Sequence, residues 1–322
     1  MLKTVAEVSE LIRQNQAFLH ISGAEELLRQ LPKGYWIGGS IEYFLDEMGG
    51  VTSNQKLFVH SMPFDPITVA IYDETTIKNI AVDAYDNGFS VIIVPFGSEV
   101  GKAYARYSPT YEDMYMKPII GWGAGFIWGQ PRLPVVVDGQ TGEFYTDKAV
   151  VMHVKLPHER IASISTINMF EPNKNGPVIE FLEDATRVGT CLIDGVEVSL
   201  NEYLKEHKMD SRLPIIGEYF NANINTTIFA VHEDEGVTEF ASVVYKDLQY
   251  RFANPIEDYE TALRNALSDH EDIKPAFACN CVLHYLYGGL EGKNIGHIYG
   301  ANVFGEIAYQ LMNQTLVYLT IE

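Results

Sequence analysis

The sequence predicts an α+β fold of strand-rich mixed sheets with flanking helices, arranged as two similar halves. Strand-sized apolar runs outnumber helical stretches, and the longest of them, such as Val91–Phe96, are short. Glycine turns join many of these runs as hairpins, which argues for layered sheets rather than a doubly wound one. Two distant stretches also echo each other, which points to an internal duplication.

Taken in order, Val5, Val8, Leu11 and Ile12 fall at helical spacing over residues 3–16, with Thr4 as N-cap and Glu7 three residues on. Residues 17–22 (AFLHIS) read as a buried strand, and 24–31 as a short helix closed by Pro32-Lys33-Gly34. Tyr35 to Ser40 is a strand entering a glycine turn, and strands follow at 55–62 and 68–72. An amphipathic helix is expected over Thr76–Asn87, with Gly88 as its cap. Residues 89–95 (FSVIIVP) form an apolar run suited to a strand covered on both faces.

Residues 97–132 show little periodicity and are rich in Gly, Tyr and Trp. Residues 133–156 read as a hairpin pair with turns at Gly139–Gly142. Pro172–Pro177 is a loop, placing the boundary between halves at 1–180 and 181–322. Beyond it come a tight hairpin at Asp194-Gly195, a helix at 199–207 and strands at 213–218, 224–232 and 237–245. A helix at 255–268 precedes strands at 275–281, 296–308 and 316–321.

The chain has 322 residues, 43 acidic against 23 basic, and a net charge of −20. That balance argues against nucleic acid or an anionic membrane as partner, since both require a positive patch. No apolar run approaches the ~18 residues of a membrane span. Glu7 and Glu10 interrupt the N-terminus before a signal-peptide core forms, and three cysteines make no disulfide framework, so the expected address is the cytoplasm.

The echo pairs Ile37-Gly38-Gly39-Ser40 and Asn54-Gln55-Lys56-Leu57 with Tyr299-Gly300-Ala301-Asn302 and Asn313-Gln314-Thr315-Leu316. Each is a glycine-turn strand, a gap and an N-Q-x-L strand, with a buried strand upstream. Two such units would bring their glycine turns together around a pseudo-symmetric centre, a common place for a ligand pocket.

The C-terminal segment from Tyr299 to Ala308, with Gly305-Glu306-Ile307 and the later Asn313-Gln314-Thr315, resembles the closing motif of FIST C domains. Leu192–Val198 followed by Tyr203-Leu204 is similar to that domain's opening hairpin and helix, and Ile37–Ser40 to the FIST N turn. Gly39 stands where that turn often carries Cys, and no arginine follows Phe277-Ala278-Cys279-Asn280-Cys281. The resemblance implies a bacterial intracellular sensory protein that binds a small ligand, such as an amino acid or related metabolite, and signals to a partner protein. It implies no enzyme activity and no cofactor.

The expected ligand site lies between the halves and draws on Gly39, Ser40, Glu42, Trp122, Asn302, Phe304, Glu306 and Asn313. Glu42 and Glu306 would face one centre, or each would accept bonds within its own turn. Trp122, Phe126 and Trp128, with Tyr104, Tyr107, Tyr111 and Tyr115, would form a lid or cap the core. The alternative is a hydrolase or transferase using Cys279 or Cys281 with His284, or the two carboxylates. If 277–281 is a strand, however, Phe277 shares a face with both thiols, which suits small buried hydrophobes. A zinc site lacks a second ligand pair, and His297 is a weaker site candidate. A third reading is a structural adaptor docking a partner through its Gly-Trp loop.

Overall fold

Thr4 opens the first helix as its sequence predicts. In the computed structural model, which describes residues 1–130, 132–219, 222–270 and 272–322, the Glu7 N–H donates to Thr4 Oγ1 at 3.3 Å. The Thr4 N–H donates back to Glu7 Oε2 at 2.8 Å, completing a capping box between β1 (Leu2–Lys3) and α1 (Val5–Gln14).

The chain continues through β2 (Phe18–Gly23), α2 (Glu25–Leu28), β3 (Trp36–Ser40), β4 (Tyr43–Asp46), β5 (Gly49–Thr52) and β6 (Leu57–Met62). A second series comprises β7 (Ile67–Tyr72), β8 (Gly88–Pro95), α3 (Glu99–Tyr107), β9 (Ile119–Ala124), β10 (Val136–Asp138), β11 (Glu143–Tyr145) and β12 (Ala149–Lys155). After β13 (Ala162–Ile167) comes an inserted region: β14 (Ile179–Glu180), β15 (Ala185–Val188), β16 (Thr190–Ile193), β17 (Val196–Ser199), α4 (Leu200–Glu206), β18 (Ile215–Tyr219), β19 (Ala222–Thr226), β20 (Ile228–His232), β21 (Val237–Val244) and β22 (Gln249–Phe252). The chain then completes α5 (Tyr259–Ser268), β23 (Phe277–Cys281), α6 (Val282–Tyr287), β24 (Gly300–Val303), β25 (Glu306–Ala308), β26 (Gln310–Met312) and β27 (Leu316–Ile321).

Three six-stranded sheets share one order: β1-β6-β2-β3-β10-β11, β7-β12-β8-β9-β25-β26 and β13-β27-β23-β24-β4-β5. Each is centred on a parallel pair joined through a helix: β2/β3 by α2, β8/β9 by α3 and β23/β24 by α6. Each ends in a hairpin from elsewhere in the chain. β10-β11 completes the first sheet, β25-β26 the second and β4-β5 the third. Strands from both sides of residue 180 therefore share two sheets. The inserted region forms its own six-stranded sheet and a three-stranded one, β15-β21-β20.

The inward faces of the three sheets enclose one core that includes Phe18, Phe44, Phe58, Val91, Trp122 and Val303. Outside the first sheet, Val8, Ile12 and Leu28 of α1 and α2 cover Leu19, Ile21 and Val59. Outside the second, Val100 and Tyr104 of α3 cover Ile92, Val94 and Val151. Strand β8 is buried along its whole length, as its unbroken apolar run requires. The Asp194-Gly195 hairpin forms with φ of 50° and 79°, the left-handed pair that an Asp-Gly turn supplies.

The β4-β5 hairpin and β13 are not read from the sequence, the strands expected at 224–232 and 296–308 each divide in two, and three further segments depart from it. Residues 76–87 make only a 3₁₀ turn, Ile77–Asn79, instead of a helix. The Asp73 carboxylate takes the amides of Thr75 and Thr76 at 2.9 Å, and Asp83 takes the Tyr72 hydroxyl, so polar side chains redirect the backbone while Ile77 and Ile80 still bury. Residues 97–132 contain α3 and β9, whose signals the glycines and tyrosines mask. Helix α6 follows β23 directly, where a loop is expected. Among the described residues no helix is long and apolar enough to cross a membrane.

Candidate functional site

Strand register places two of the predicted site residues, Gly39 and Trp122, at equivalent positions with Ala301. Gly39 lies beside Ser22, which lies opposite Phe58; Trp122 lies beside Ile93, opposite Val150; Ala301 lies beside Cys279, opposite Val317. These positions face the shared core. A Cβ on Gly39 would come within 2.8 Å of Ile93 Cγ2 and 2.9 Å of the Trp122 ring, so Gly39 is vacant because the indole fills its place. Trp122 Nε1–H donates to His20 Nε2 at 2.8 Å, which fixes the indole inside. Ser40 ties two neighbouring loops: its hydroxyl donates to the Gly125 carbonyl at 2.9 Å and accepts from the Val135 N–H at 3.0 Å.

The two carboxylates have separate partners, and among the described residues no hydrogen bond joins them. Glu42 Oε1 is 2.6 Å from Arg132, which also reaches Glu26 at 2.9 Å. Burial pushes the Glu42 carboxyl up to about 7 against the pull of Arg132. Glu306 lies opposite Trp122 across β9, where the corresponding hairpin positions in the other sheets hold Val136 and Phe44. Its Oε2 accepts from the Thr315 N–H at 3.1 Å and hydroxyl at 3.0 Å, while among the described residues no hydrogen-bond partner meets Oε1. Burial pushes this carboxyl up to about 8 despite those bonds. Asn302 accepts from Asn280 Nδ2 at 3.0 Å, and Asn313 is buried, its Oδ1 without a partner among the described residues.

Cys279, Cys281 and His284 are all interior. The Cys279 thiol donates to the Gly121 carbonyl at 3.4 Å, and the Cys281 thiol lies beside the Glu306 carboxyl. Burial, and then the charge of Glu306, push both thiols well above the ordinary range. His284 Nδ1 lies 2.7 Å from Asn280 Oδ1, and burial lowers the ring to about 3. A neutral imidazole and a protonated thiol in a dry core form no activated pair. Among the described residues no group of three or more His, Cys, Asp or Glu could hold a metal ion. His153 is satisfied by Ser90 at 2.7 Å and Tyr72 at 3.1 Å, and His232 by Glu239 at 2.8 Å. His297 is half-buried, and among the described residues its Nε2 has no partner.

Open space lies elsewhere. A cavity of about 230 Å³ separates the carboxyl end of β8 and the start of α3 from the inserted strands β20 and β21. Its apolar wall is built from Val94, Phe96, Phe229, Phe240, Phe304 and Leu311, and Lys102, Glu239, Thr186 and Ser242 bring polar groups. Of the predicted site residues, Phe304 lines it. Trp128 stands behind this wall, with ring centroids 5.5 Å from Phe229 and 6.1 Å from Phe304. Phe126 also packs on Phe304, at 4.9 Å. Tyr104, grouped with this loop in the sequence reading, projects from α3 into the core and donates to the Tyr309 carbonyl at 2.8 Å.

A polar seam fixes the inserted region against the sheets and so holds the cavity's two walls together. Gln314, at φ 51°, donates through Nε2 to the Arg212 carbonyl at 2.8 Å and the Tyr259 hydroxyl at 3.0 Å. Its Oε1 accepts from Thr227 at 2.7 Å, and its carbonyl from Asn225 at 3.3 Å. The sequence reading missed Lys102, Phe229 and Phe240. A signal for the first exists: Ser98 follows an all-apolar strand and caps α3, its hydroxyl accepting from the Gly101 N–H at 3.2 Å. Phe229 and Phe240 reach the cavity only through the tertiary docking of the insertion.

The chain belongs to DUF6976, a family of unknown function whose sequence profile matches residues 3–322. No curated protein and no solved structure matches it.

Proposed function

We propose that this chain is a non-enzymatic small-ligand-binding protein whose ligand occupies the cleft between the second sheet and the inserted strands. The observation that carries this reading is the cavity of about 230 Å³, walled by aromatic rings from segments more than 100 residues apart. Pockets of this kind, apolar with a few polar groups, are the default binding sites of unassigned folds. The sensory role implied by the FIST resemblance fits a site whose walls belong to different sheets. A ligand bridging them would change how the insertion docks, and a partner protein could read that change. We also infer that the three sheets are copies of one unit, a wider repeat than the two-fold echo expected from residues 37–57 and 299–316.

Calorimetric titration and thermal shift against amino acids, aromatic acids and nucleobases test the reading. A ligand at 100 times its Kd adds about 2.7 kcal/mol of stability. Ala241→Phe, which places a ring in the cleft, should abolish that shift while leaving the circular dichroism spectrum unchanged. A hit that survives this substitution places the site elsewhere. Turnover lost on Cys281→Ser would favour the hydrolase reading, which the buried, protonated thiols do not support.

A further inference from the structure

We infer that the ligand of this cleft is a single-ring aromatic acid, a benzoate- or phenylacetate-sized monoanion, with Lys102 supplying the counter-charge. This rests on the proposed binding role and names the class of molecule that fits it. Size sets the first limit. A dry apolar cavity of roughly 150 Å³ takes benzene, and drug-sized ligands occupy roughly 300–1,000 Å³. At about 230 Å³, the cleft admits one ring and a short substituent.

Shape and chemistry set the second. Phe96 meets Phe229 at 5.6 Å and Phe304 at 5.3 Å between centroids, in tilted geometry, so the wall offers ring faces and edges at one end. Such surfaces favour a flat π-system over an aliphatic chain of equal area.

Charge sets the third. Among the described residues, two charged side chains line the cleft, Lys102 and Glu239. Glu239 is already engaged by His232 at 2.8 Å and by Arg187 at 3.7 Å, so its charge is satisfied from outside the cleft. Lys102 is held at 2.8 Å by Glu99, one turn away on the same helix, with both side chains more than half exposed. An exposed pair of that kind contributes a few tenths of a kcal/mol and exchanges readily for a better-sheltered anion. A carboxylate at the mouth with its ring inward satisfies Lys102 without burying an unpaired charge.

The test titrates the intact protein with benzoate, phenylacetate, their neutral amides and hexanoate, in wild type, Lys102→Gln and Lys102→Arg. The aromatic acids should bind, the amides and hexanoate at least tenfold more weakly. Lys102→Gln should weaken the acids tenfold or more without changing the amides, and Lys102→Arg should keep most of the acid affinity. If the amides bind as well as the acids, or Lys102→Gln leaves acid affinity intact, the ligand class is wrong while the cleft remains a binding site. If nothing in the panel binds, the class again fails. If the wider panel also gives no hit sensitive to Ala241→Phe, the binding role fails with it.

Discussion

Gly39 carries the clearest single-residue lesson. The sequence marks it as a turn glycine at a ligand site, because a glycine between apolar neighbours looks the same whether it makes room for a ligand or for another residue. The second is the case here, since Trp122 reaches into the space that a Gly39 side chain would fill. Gly39→Ala should therefore destabilise by about 1–3 kcal/mol through overpacking. Pairing it with Trp122→Phe should recover part of that loss, a coupling measurable in a double-mutant cycle by chemical denaturation. Independent effects of the two changes would mean that the contact does not set the cost. Glu306 teaches the converse. Its place in a Gly-Glu-Ile turn suggested a ligand contact, but strand pairing puts it at a core position where the sister sheets carry Val136 and Phe44.

At the scale of elements, many strands were legible where an apolar run met a turn residue: β2, β8, the Asp194-Gly195 hairpin and β27 follow that rule, whereas the β4-β5 hairpin and β13 were not read. Helix α3 and strand β9 were not, because periodicity is weak where glycines and exposed tyrosines alternate. The docking of β18–β21 was invisible for another reason. It depends on Gln314, a residue whose role arises only when segments 100 residues apart meet. Gln314→Ala would leave the Thr227 hydroxyl, the Tyr259 hydroxyl and the Arg212 carbonyl short of partners, at about 1–3 kcal/mol for each buried group left unmade. By hydrogen exchange, amides of β18, β20 and β21 should lose protection while those of β8 keep it. Equal loss in both would show that the seam is not a local clamp.

For the whole molecule, buried titratable groups confine stability to a narrow range of pH. The Glu306 carboxyl, raised to about 8 in the fold against 4.5 when unfolded, holds its proton in the native state after the unfolded chain has lost it. Stability therefore falls as pH rises, by an amount on the order of 3 kcal/mol between pH 5 and 8. Glu42, raised to about 7, adds to this loss. On the acid side, His20 and His284 are lowered to about 3 and His153 to about 4 by burial. Below pH 6.5 the unfolded chain gains protons that the native histidines refuse, so stability falls again. Thermal melts across pH should peak near 6.5, and Glu306→Gln should flatten the alkaline limb and move the peak to higher pH. A melting temperature still rising at pH 8 would contradict this account.

The exchange of hairpins among the sheets also bears on how the chain is made. The first hairpin, β4-β5, is complete once residue 52 has emerged, yet the strand it pairs with, β24, begins at Gly300. At roughly 5–20 residues per second, about 250 further residues take on the order of 12–50 s to synthesise. Through that interval Phe44 and its neighbours have neither their core nor their edge partner. The nascent chain thus needs shelter from other growing chains, and the third sheet closes only when β4 and β24 meet.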